Sequence, residues 1–191
     1  MLIKRNVVMN VISIMLNVDQ EKIYQYWLDQ DKPPSIAMKP AGLLKYVYMI
    51  SETGSTFTGH ATSDLVINAK PGDEVRWYES PIQPNAAYNI CIKDLITHGN
   101  WDKYMVSQGR DFVHTKTEQT LRAYYIDKEL RANSTSMDYS SATIKTAQQI
   151  GISPLPATIN YDFNLSLVEM VNGIPSLKCT LTFDPGIKIS S

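Results

Sequence analysis

The sequence predicts an all-β fold: a single-domain antiparallel β-sandwich, jelly-roll-like, with one or two short helical turns. Short segments along the chain alternate apolar and polar residues with a period of two, which is typical of strands with one buried face. Turn signals separate these segments, and no long segment shows the 3.6-residue period of a helix. A chain of 191 residues suits one such domain, and we assign residues 1–191 to it.

The first strand lies close to the N-terminus. Val8, Ile12, Ile14, Leu16 and Val18 fall in one phase and so share one face. Alternation or enrichment in β-branched and aromatic residues predicts the other strands at residues 45–50, 65–69, 75–77, 88–96, 161–167, 177–183 and 187–189. About eight short strands of this kind favour a sandwich.

Local signals mark the turns and one helix. Pro71-Gly72-Asp73 predicts a tight turn, because proline fixes φ and glycine accepts a positive φ. Asn172-Gly173 lies between two alternating segments and predicts a β-hairpin. Asp19 is the expected cap of a short helical turn at residues 19–27.

Two segments have less regular patterns. Residues 132–146 are rich in Ser and Thr and are predicted to form a long exposed loop or an irregular edge. Residues 113–126 fit one or two strands, or a short helix around residues 121–125. The pattern does not separate these alternatives.

Composition argues against two classes of partner. Lys and Arg total 18 and Asp and Glu total 19, so the net charge is −1 and no basic field attracts nucleic acid. No apolar run approaches the ~18 residues of a membrane-spanning helix, so we predict no membrane partner. A net charge this close to zero gives little repulsion between copies and therefore permits self-association.

No catalytic motif is present in the sequence. It contains no glycine-rich phosphate loop, no G-x-S-x-G, no H-E-x-x-H and no C-x-x-C. A nucleophile, a base and a group to orient the base cannot be assembled from its residues. We therefore predict that the protein is not an enzyme and has no cofactor.

One set of residues has the ligand types of a copper site. His60, Cys91, His98 and Met105 supply two imidazoles, a thiol and a thioether in the order used by cupredoxin-type sandwiches. A copper loop brings Cys, His and Met together within a few residues, whereas six residues separate each successive pair from Cys91 to Met105 here. The spacing makes these four residues weak metal candidates.

A binding module for carbohydrate or calcium is the alternative function. Trp101 lies between Asn100 and Asp102 in a predicted loop, where an aromatic ring can stack on a small carbohydrate ligand. Three acidic pairs offer oxygen ligands for calcium, although none matches an EF-hand loop: Asp19 with Glu21, Asp29 with Asp31, and Asp73 with Glu74.

The two cysteines are expected to be structural. Cys91 and Cys179 each lie in an apolar strand pattern, so burial as free thiols is the simplest interpretation. A disulfide between them stays open as an alternative, since the sequence does not give the distance between the two strands.

Several segments resemble the AidA/PixA family of bacterial inclusion-body proteins. The strongest are YVYMI at residues 46–50, ATSDLVINAKPGDEVRWYESPI at residues 61–82 and YNICIKDLI at residues 88–96. The segments VDQEKI and TFDPGIKI, near the two ends, fit the same pattern. The likeness spans Met9 to Ile189, and family members tend to begin near Met9. It therefore implies that residues 1–8 are a disordered extension or follow an upstream start.

The resemblance implies a non-enzymatic, self-associating homo-oligomer. Some members of the family are methionine-rich and accumulate as cytoplasmic crystalline inclusions, while others are linked to quorum-regulated or host-associated behaviour. The eight methionines of this chain suit a stored protein of this kind. Exposed edge strands are the natural contacts in such an assembly, and the N-terminal strand and the C-terminal hairpin are the predicted ones.

Overall fold

The computed structural model describes residues 10–37, 42–52, 54–81, 88–106, 116–126, 129–172 and 174–191. The predicted extension at residues 1–8 lies outside the described residues. The strands are β1 (Val11–Val18), β2 (Ser35–Ala37), β3 (Val47–Ser51), β4 (Thr56–Thr58), β5 (Val66–Ala69), β6 (Glu74–Pro81), β7 (Tyr88–Thr97), β8 (Met105–Val106), β9 (Lys116–Ile126), β10 (Glu129–Ile144), β11 (Ala157–Val171), β12 (Ile174–Phe183) and β13 (Gly186–Ile189). The helices are α1 (Gln20–Asp29), α2 (Trp101–Tyr104) and α3 (Ala147–Ile150), with a 3-10 helix at Leu43–Tyr46.

The N-terminal strand β1 is an interior strand of the first sheet. The strands lie in the order β3-β1-β6-β10-β8, and β9 extends the sheet by pairing with β10. Ile14 of β1 has Ser51 of β3 on one side and Trp77 of β6 on the other. The prediction that this strand is an exposed edge for assembly is therefore wrong, because β1 is hydrogen-bonded on both sides.

The second sheet is built around β11. Phe163 of β11 is opposite Phe183 of β12, and Asn160 of β11 is opposite Gly186 of β13, in one unbroken register. β12 and β13 thus follow each other along one side of β11, while β7 pairs with the other side. Beyond them, β2 pairs with β12, and β5 followed by β4 continues from β13.

The two sheets pack around one apolar interior. Trp77 of β6 is fully buried, and its ring centroid lies 5.6 Å from that of Tyr161 and 6.0 Å from that of Phe163, both on β11. The apolar residues of β1 pack into the same interior, as the alternation of the strand predicts: Ile12, Ile14, Leu16 and Val18. The predicted all-β sandwich is confirmed.

The sheets are mixed and not purely antiparallel. The pairs β1–β6, β2–β12 and β5–β13 are parallel. Each joins strands that are far apart in the sequence. Alternation of apolar residues fixes which face of a strand is buried, but it is the same in both chain directions and so carries no information on strand polarity.

The helical content exceeds the predicted one or two short turns. Asp19 caps α1 as predicted, since the backbone N–H of Lys22 donates to its Oδ1 at 3.1 Å. Ile23 and Trp27, one turn apart on α1, are buried. α2, α3 and the 3-10 helix were not predicted, because each is a single turn and carries little periodic signal.

Residues 132–146 do not form the predicted loop. Most of them belong to β10, a strand of 16 residues that pairs with β9, β6 and β8. Residues 121–125 lie in β9 and so form a strand, not the alternative short helix. Ser and Thr are compatible with strands where neighbouring strands fix the backbone, so composition was a poor guide here.

Both predicted tight turns are present. Gly72 has φ of 94°, and the Lys70 N–H donates to Oδ2 of Asp73 at 2.8 Å, which closes the Pro-Gly-Asp turn. At the hairpin, Val171 is opposite Ile174, and Asn172 has φ of 53°. Asn tolerates the left-handed backbone region that this hairpin requires.

Candidate functional site

Trp101 is buried and does not form an exposed stacking platform. It begins α2, is 2% exposed, and its ring meets that of Tyr161 edge-on at 5.8 Å. Its neighbours Asn100 and Asp102 are exposed. The interpretation of Trp101 as a loop aromatic is therefore corrected, because the single turn of α2 directs its ring into the core.

The four copper candidates lie in different surroundings. Met105 is fully buried in β8 and Cys91 is half-buried in the middle of β7. His98 is exposed and its Nε2 lies 2.9 Å from Oδ2 of Asp162. His60 is also exposed. Within the described ranges no group of three or more His, Cys, Asp or Glu side chains is placed to hold a metal ion.

Three of the six residues in the acidic pairs have local structural roles. Asp19 is the cap of α1, and Asp73 closes the turn before β6. Glu74 is buried, and its Oε2 accepts a hydrogen bond from Nη2 of Arg76 at 3.0 Å. Each of these contacts engages one carboxylate oxygen that a calcium ion could otherwise bind.

The two cysteines are free and face opposite sides of the second sheet. Cys91 is opposite Ser166 of β11, whereas Cys179 is opposite the next residue, Leu167. Because successive residues of a strand point to opposite faces, the two thiols are separated by the sheet. The disulfide alternative is therefore wrong. Burial raises the pKa of both thiols, that of Cys179 to about 11, which keeps them protonated and unreactive.

A polar ladder occupies the outer face of the second sheet. Asn164 donates from Nδ2 to Oδ1 of Asp94 and accepts from Oγ1 of Thr182 at 2.7 Å, so it joins three neighbouring strands. Its amide oxygen and nitrogen are both engaged within the sheet. The ladder therefore acts as a cross-strand brace and presents few groups to a ligand.

A charged cluster occupies the outer face of the first sheet. The guanidinium of Arg76 lies 4.7 Å from the ring centroid of Tyr139, which in turn lies 5.3 Å from that of Tyr78. The hydrogen bond that Arg76 donates to Glu74 is the main reason that the pKa of Arg76 lies above its ordinary value. This arrangement stabilises a cation against an aromatic ring, and the raised pKa keeps the guanidinium protonated.

The most distinctive exposed surface is the end of the β11–β12 hairpin. We call residues 168–172 and 174–178 the hairpin tip. Of the nine large apolar side chains that are exposed in the described part of the chain, four belong to it. They are Met170 (46% exposed), Val171 (47%), Ile174 (69%) and Leu177 (59%).

Both faces of the hairpin tip carry exposed apolar side chains. Val168 is opposite Leu177 and Met170 is opposite Pro175, so these four residues share the outer face of the sheet. Val171 and Ile174, opposite each other, share the face that lines the core farther along the hairpin. At the tip this inner face has passed beyond the core, which is why these two side chains are exposed.

The base of the tip is held in place by aromatic and charged contacts. Tyr88 of β7 is opposite Glu169 and stacks on Tyr24 of α1, with 3.5 Å between ring centroids. A hydrogen bond with Tyr24 raises the pKa of Tyr88 to about 12. Glu169 also pairs with Lys178 across the hairpin, at 2.6 Å between Oε2 and Nζ. The tip therefore projects from a fixed base.

The comparison with known proteins settles the family. The model of the PixA inclusion body proteins matches residues 10–189. The chain belongs to the PixA family of inclusion body proteins. The match confirms the AidA/PixA resemblance. The matched residues include the strands of both sheets of this PixA-family chain.

A solved structure shows the same fold. The crystal structure of an inclusion body protein of the PixA type from Burkholderia cenocepacia J2315 matches with a TM-score of 0.60 and 13% sequence identity, over 98% of this chain and 100% of that one. No curated protein is significantly similar in sequence to this PixA-family chain. In the described part of the chain, no helix has the length and apolar character needed to cross a membrane.

Part of the hairpin tip was predictable from the sequence. The C-terminal hairpin was predicted as an assembly contact, and its Asn-Gly turn marks the tip. The exposure of its apolar residues on both faces was missed. One signal was available: residues 167–171, LVEMV, have apolar side chains in both phases of the strand, whereas residues 161–167 alternate strictly.

Proposed function

We propose that this protein is a non-enzymatic structural protein that self-associates into cytoplasmic inclusions. The observation that carries the proposal is the match to the PixA inclusion body family over residues 10–189. A homo-oligomer built from many copies is the form that such an inclusion requires. Storage is the role that this form suits best, with host-associated or quorum-regulated behaviour as the setting in which it operates.

The charge balance of the chain supports the proposal. A net charge of −1 on 191 residues gives little long-range repulsion between copies. Two charged groups on the outer faces are compensated within the chain: Arg76 by Glu74, and Asp162 by His98 when the imidazole is protonated. Each such pair lowers the repulsion between copies that approach through these faces.

The surroundings of the titratable groups also support a non-catalytic role. Burial raises the pKa of Cys179 and of Tyr161, and both side chains lie in the core. Catalytic groups are usually tuned toward the working pH and gathered at one site. The raised pKa values of Cys179 and Tyr161 lie far above neutral pH, so both groups stay protonated and uncharged.

The experiment is to measure the mass of the purified protein as a function of its concentration. Size-exclusion chromatography with light scattering gives the mass, and negative-stain electron microscopy of the most concentrated samples shows whether the assemblies are ordered. We expect the mass to rise with concentration and regular particles to form. A monomer at every concentration tested would contradict the proposal.

A further inference from the structure

We propose that the hairpin tip is the surface through which two copies of this chain pack against each other. The inference rests on the proposed function, and it assigns the self-association to one place in the fold. The contact joins the same surface of both copies around a twofold axis, so that the tip of one copy covers the tip of the other.

Both faces of the hairpin tip carry exposed apolar side chains. A hairpin at the surface of a soluble sandwich normally has one apolar face toward the core and one polar face toward water. Here Met170 and Leu177 are exposed on one face, and Val171 and Ile174 on the other. Together the four side chains expose a few hundred Å² around the end of the hairpin, an amount of apolar surface that is often functional on monomers.

The hairpin tip carries no net charge. Residues 168–178 contain one acid, Glu169, and one base, Lys178, and these two form an ion pair with each other. In a twofold contact the same patch supplies both sides, and residues beside the axis meet their own counterparts, so an uncompensated charge there would face a like charge. The tip has none, and two copies can meet there without repulsion.

The same charge balance distinguishes a second copy from a lipid surface. Protein segments that insert into membranes carry Lys or Arg beside their apolar residues, because anionic headgroups attract them. In the tip the one Lys is neutralised by Glu169, and no excess of basic residues accompanies the apolar ones. A neutral apolar partner fits this surface better than an anionic one.

The edge of the tip indicates how the copies meet. β2 pairs with β12 at Thr180–Thr182, and in the described residues no strand pairs with this side of β12 from Ile174 to Cys179. Pro175 lies on that stretch and has no N–H to donate, so a continuous ladder between two copies is interrupted there. Side-chain packing therefore makes the contact, with no extension of the sheet.

The size of the patch sets the strength of the contact. Stable interfaces bury about 800 Å² per partner, which is more than the tip alone offers. We expect a weak association that depends strongly on concentration. Such a contact becomes effective in a dense inclusion, where the concentration of the chain is high.

The test compares the full-length protein with two double variants by sedimentation velocity over a range of concentrations. Ile174→Thr with Leu177→Thr removes one exposed apolar side chain from each face of the tip. Thr is chosen because it favours strands and therefore preserves the hairpin. Ile96→Thr with Ile152→Thr is the matched control, since both of these Ile side chains are exposed outside the tip.

We expect the tip variant to associate about tenfold more weakly than the wild type, and the control to match the wild type. Near-ultraviolet circular dichroism and the urea midpoint of each variant establish that the sandwich is intact. If the wild type associates and the tip variant associates equally well, the inference is overturned while the proposed function stands. If the wild type never associates, the proposed function fails and the inference fails with it.

Flotation with vesicles of phosphatidylcholine and phosphatidylserine is the second measurement. We expect neither the wild type nor the tip variant to float with the vesicles. Flotation of the wild type that is lost in the tip variant would overturn the inference, because it would identify the tip as a membrane-inserting element.

Discussion

Trp77 and Tyr161 join the two sheets by a hydrogen bond across the buried interior. The indole Nε1–H of Trp77, on β6, donates to the phenol oxygen of Tyr161, on β11, at 3.0 Å, and both side chains are fully buried. The two residues are 84 positions apart in the chain. Their polar atoms fix how the sheets align, because apolar packing alone is not directional.

We expect Tyr161→Phe to lower the free energy of unfolding by about 1–3 kcal/mol, since it removes an acceptor from a buried donor with little change in volume. Urea denaturation followed by tryptophan fluorescence measures the change. Tyr48→Phe is the control, because Tyr48 is half-buried on β3; we expect it to stay within about 0.5 kcal/mol of the wild type. Equal losses in the two variants would show that the interior hydrogen bond is not stabilising.

Two substitutions of Asp19 should distinguish the hydrogen bond of the α1 cap from its negative charge. Asp19→Ala removes the oxygen that accepts the N–H of Lys22, and we expect a loss of about 0.5–2 kcal/mol. Asp19→Asn keeps an acceptor and should retain most of the stability. The urea midpoints of the two variants measure the difference. A loss in the Asn variant as large as in the Ala variant would indicate that the negative charge, and not the hydrogen bond, stabilises the helix.

Two glycines with similar positive φ angles should respond very differently to alanine. Gly59 has φ of 72°, and an added Cβ would lie 2.3 Å from the backbone oxygen of Asp64. Gly151 has φ of 63°, and an added Cβ would meet no atom within 4 Å. We expect Gly151→Ala to cost about 1–3 kcal/mol from the backbone alone, because a φ of 63° with a ψ of −129° strongly favours glycine.

Gly59→Ala carries that backbone cost together with the clash, and we expect it to lose about 2 kcal/mol more than Gly151→Ala. The difference between the thermal midpoints of the two variants isolates the effect of the clash. Similar midpoints would mean that the segment after β4 moves readily to accommodate the added carbon.

The two thiols should differ in reactivity. Cys91 is half-buried and Cys179 is buried. We expect Ellman's reagent to modify Cys91 slowly in the native protein and to reach Cys179 after unfolding in urea. The single variants Cys91→Ala and Cys179→Ala assign the two phases. Rapid modification of both thiols in the native state would contradict the burial of Cys179.

The stability of the protein should fall in alkaline solution partly because of Cys179. Its pKa is about 11 in the folded state against an ordinary value of 9.0. Since the folded value is the higher one, this contribution is fully present below about pH 9 and is lost as the pH rises toward 11. We expect the stability difference between the wild type and Cys179→Ala to shrink over that range. A constant difference would exclude this source of alkaline sensitivity.

Local sequence patterns predicted the parts of the fold where only a few residue types fit a position. Asp19 was identified as a helix cap and Asn172 as the start of a hairpin turn because few other residues serve in these positions. The alternation of β1 and β11 identified their buried residues directly. These signals are short-range, and each is complete within a few residues.

Trp101 shows where such reasoning fails for a candidate site. Its polar neighbours indicated a loop, yet Trp101, Tyr104 and Met105 are all buried. Their spacing of three and four residues is that of one helical face, and this was the available signal. A single turn is too short for periodicity to outweigh composition, so contact with Tyr161 decides the orientation of the indole.

The sequence by itself determined the all-β class, the main turns, the first helix and the faces of the clearest strands, because period, turn chemistry and capping act over a few bonds. The tertiary structure alone decided the strand order and the parallel pairs, the interior place of β1, and the burial of Trp101. It also decided that the apolar residues of the hairpin tip stay exposed. These properties depend on which distant segments meet, and a period of two is the same whichever neighbour a strand has.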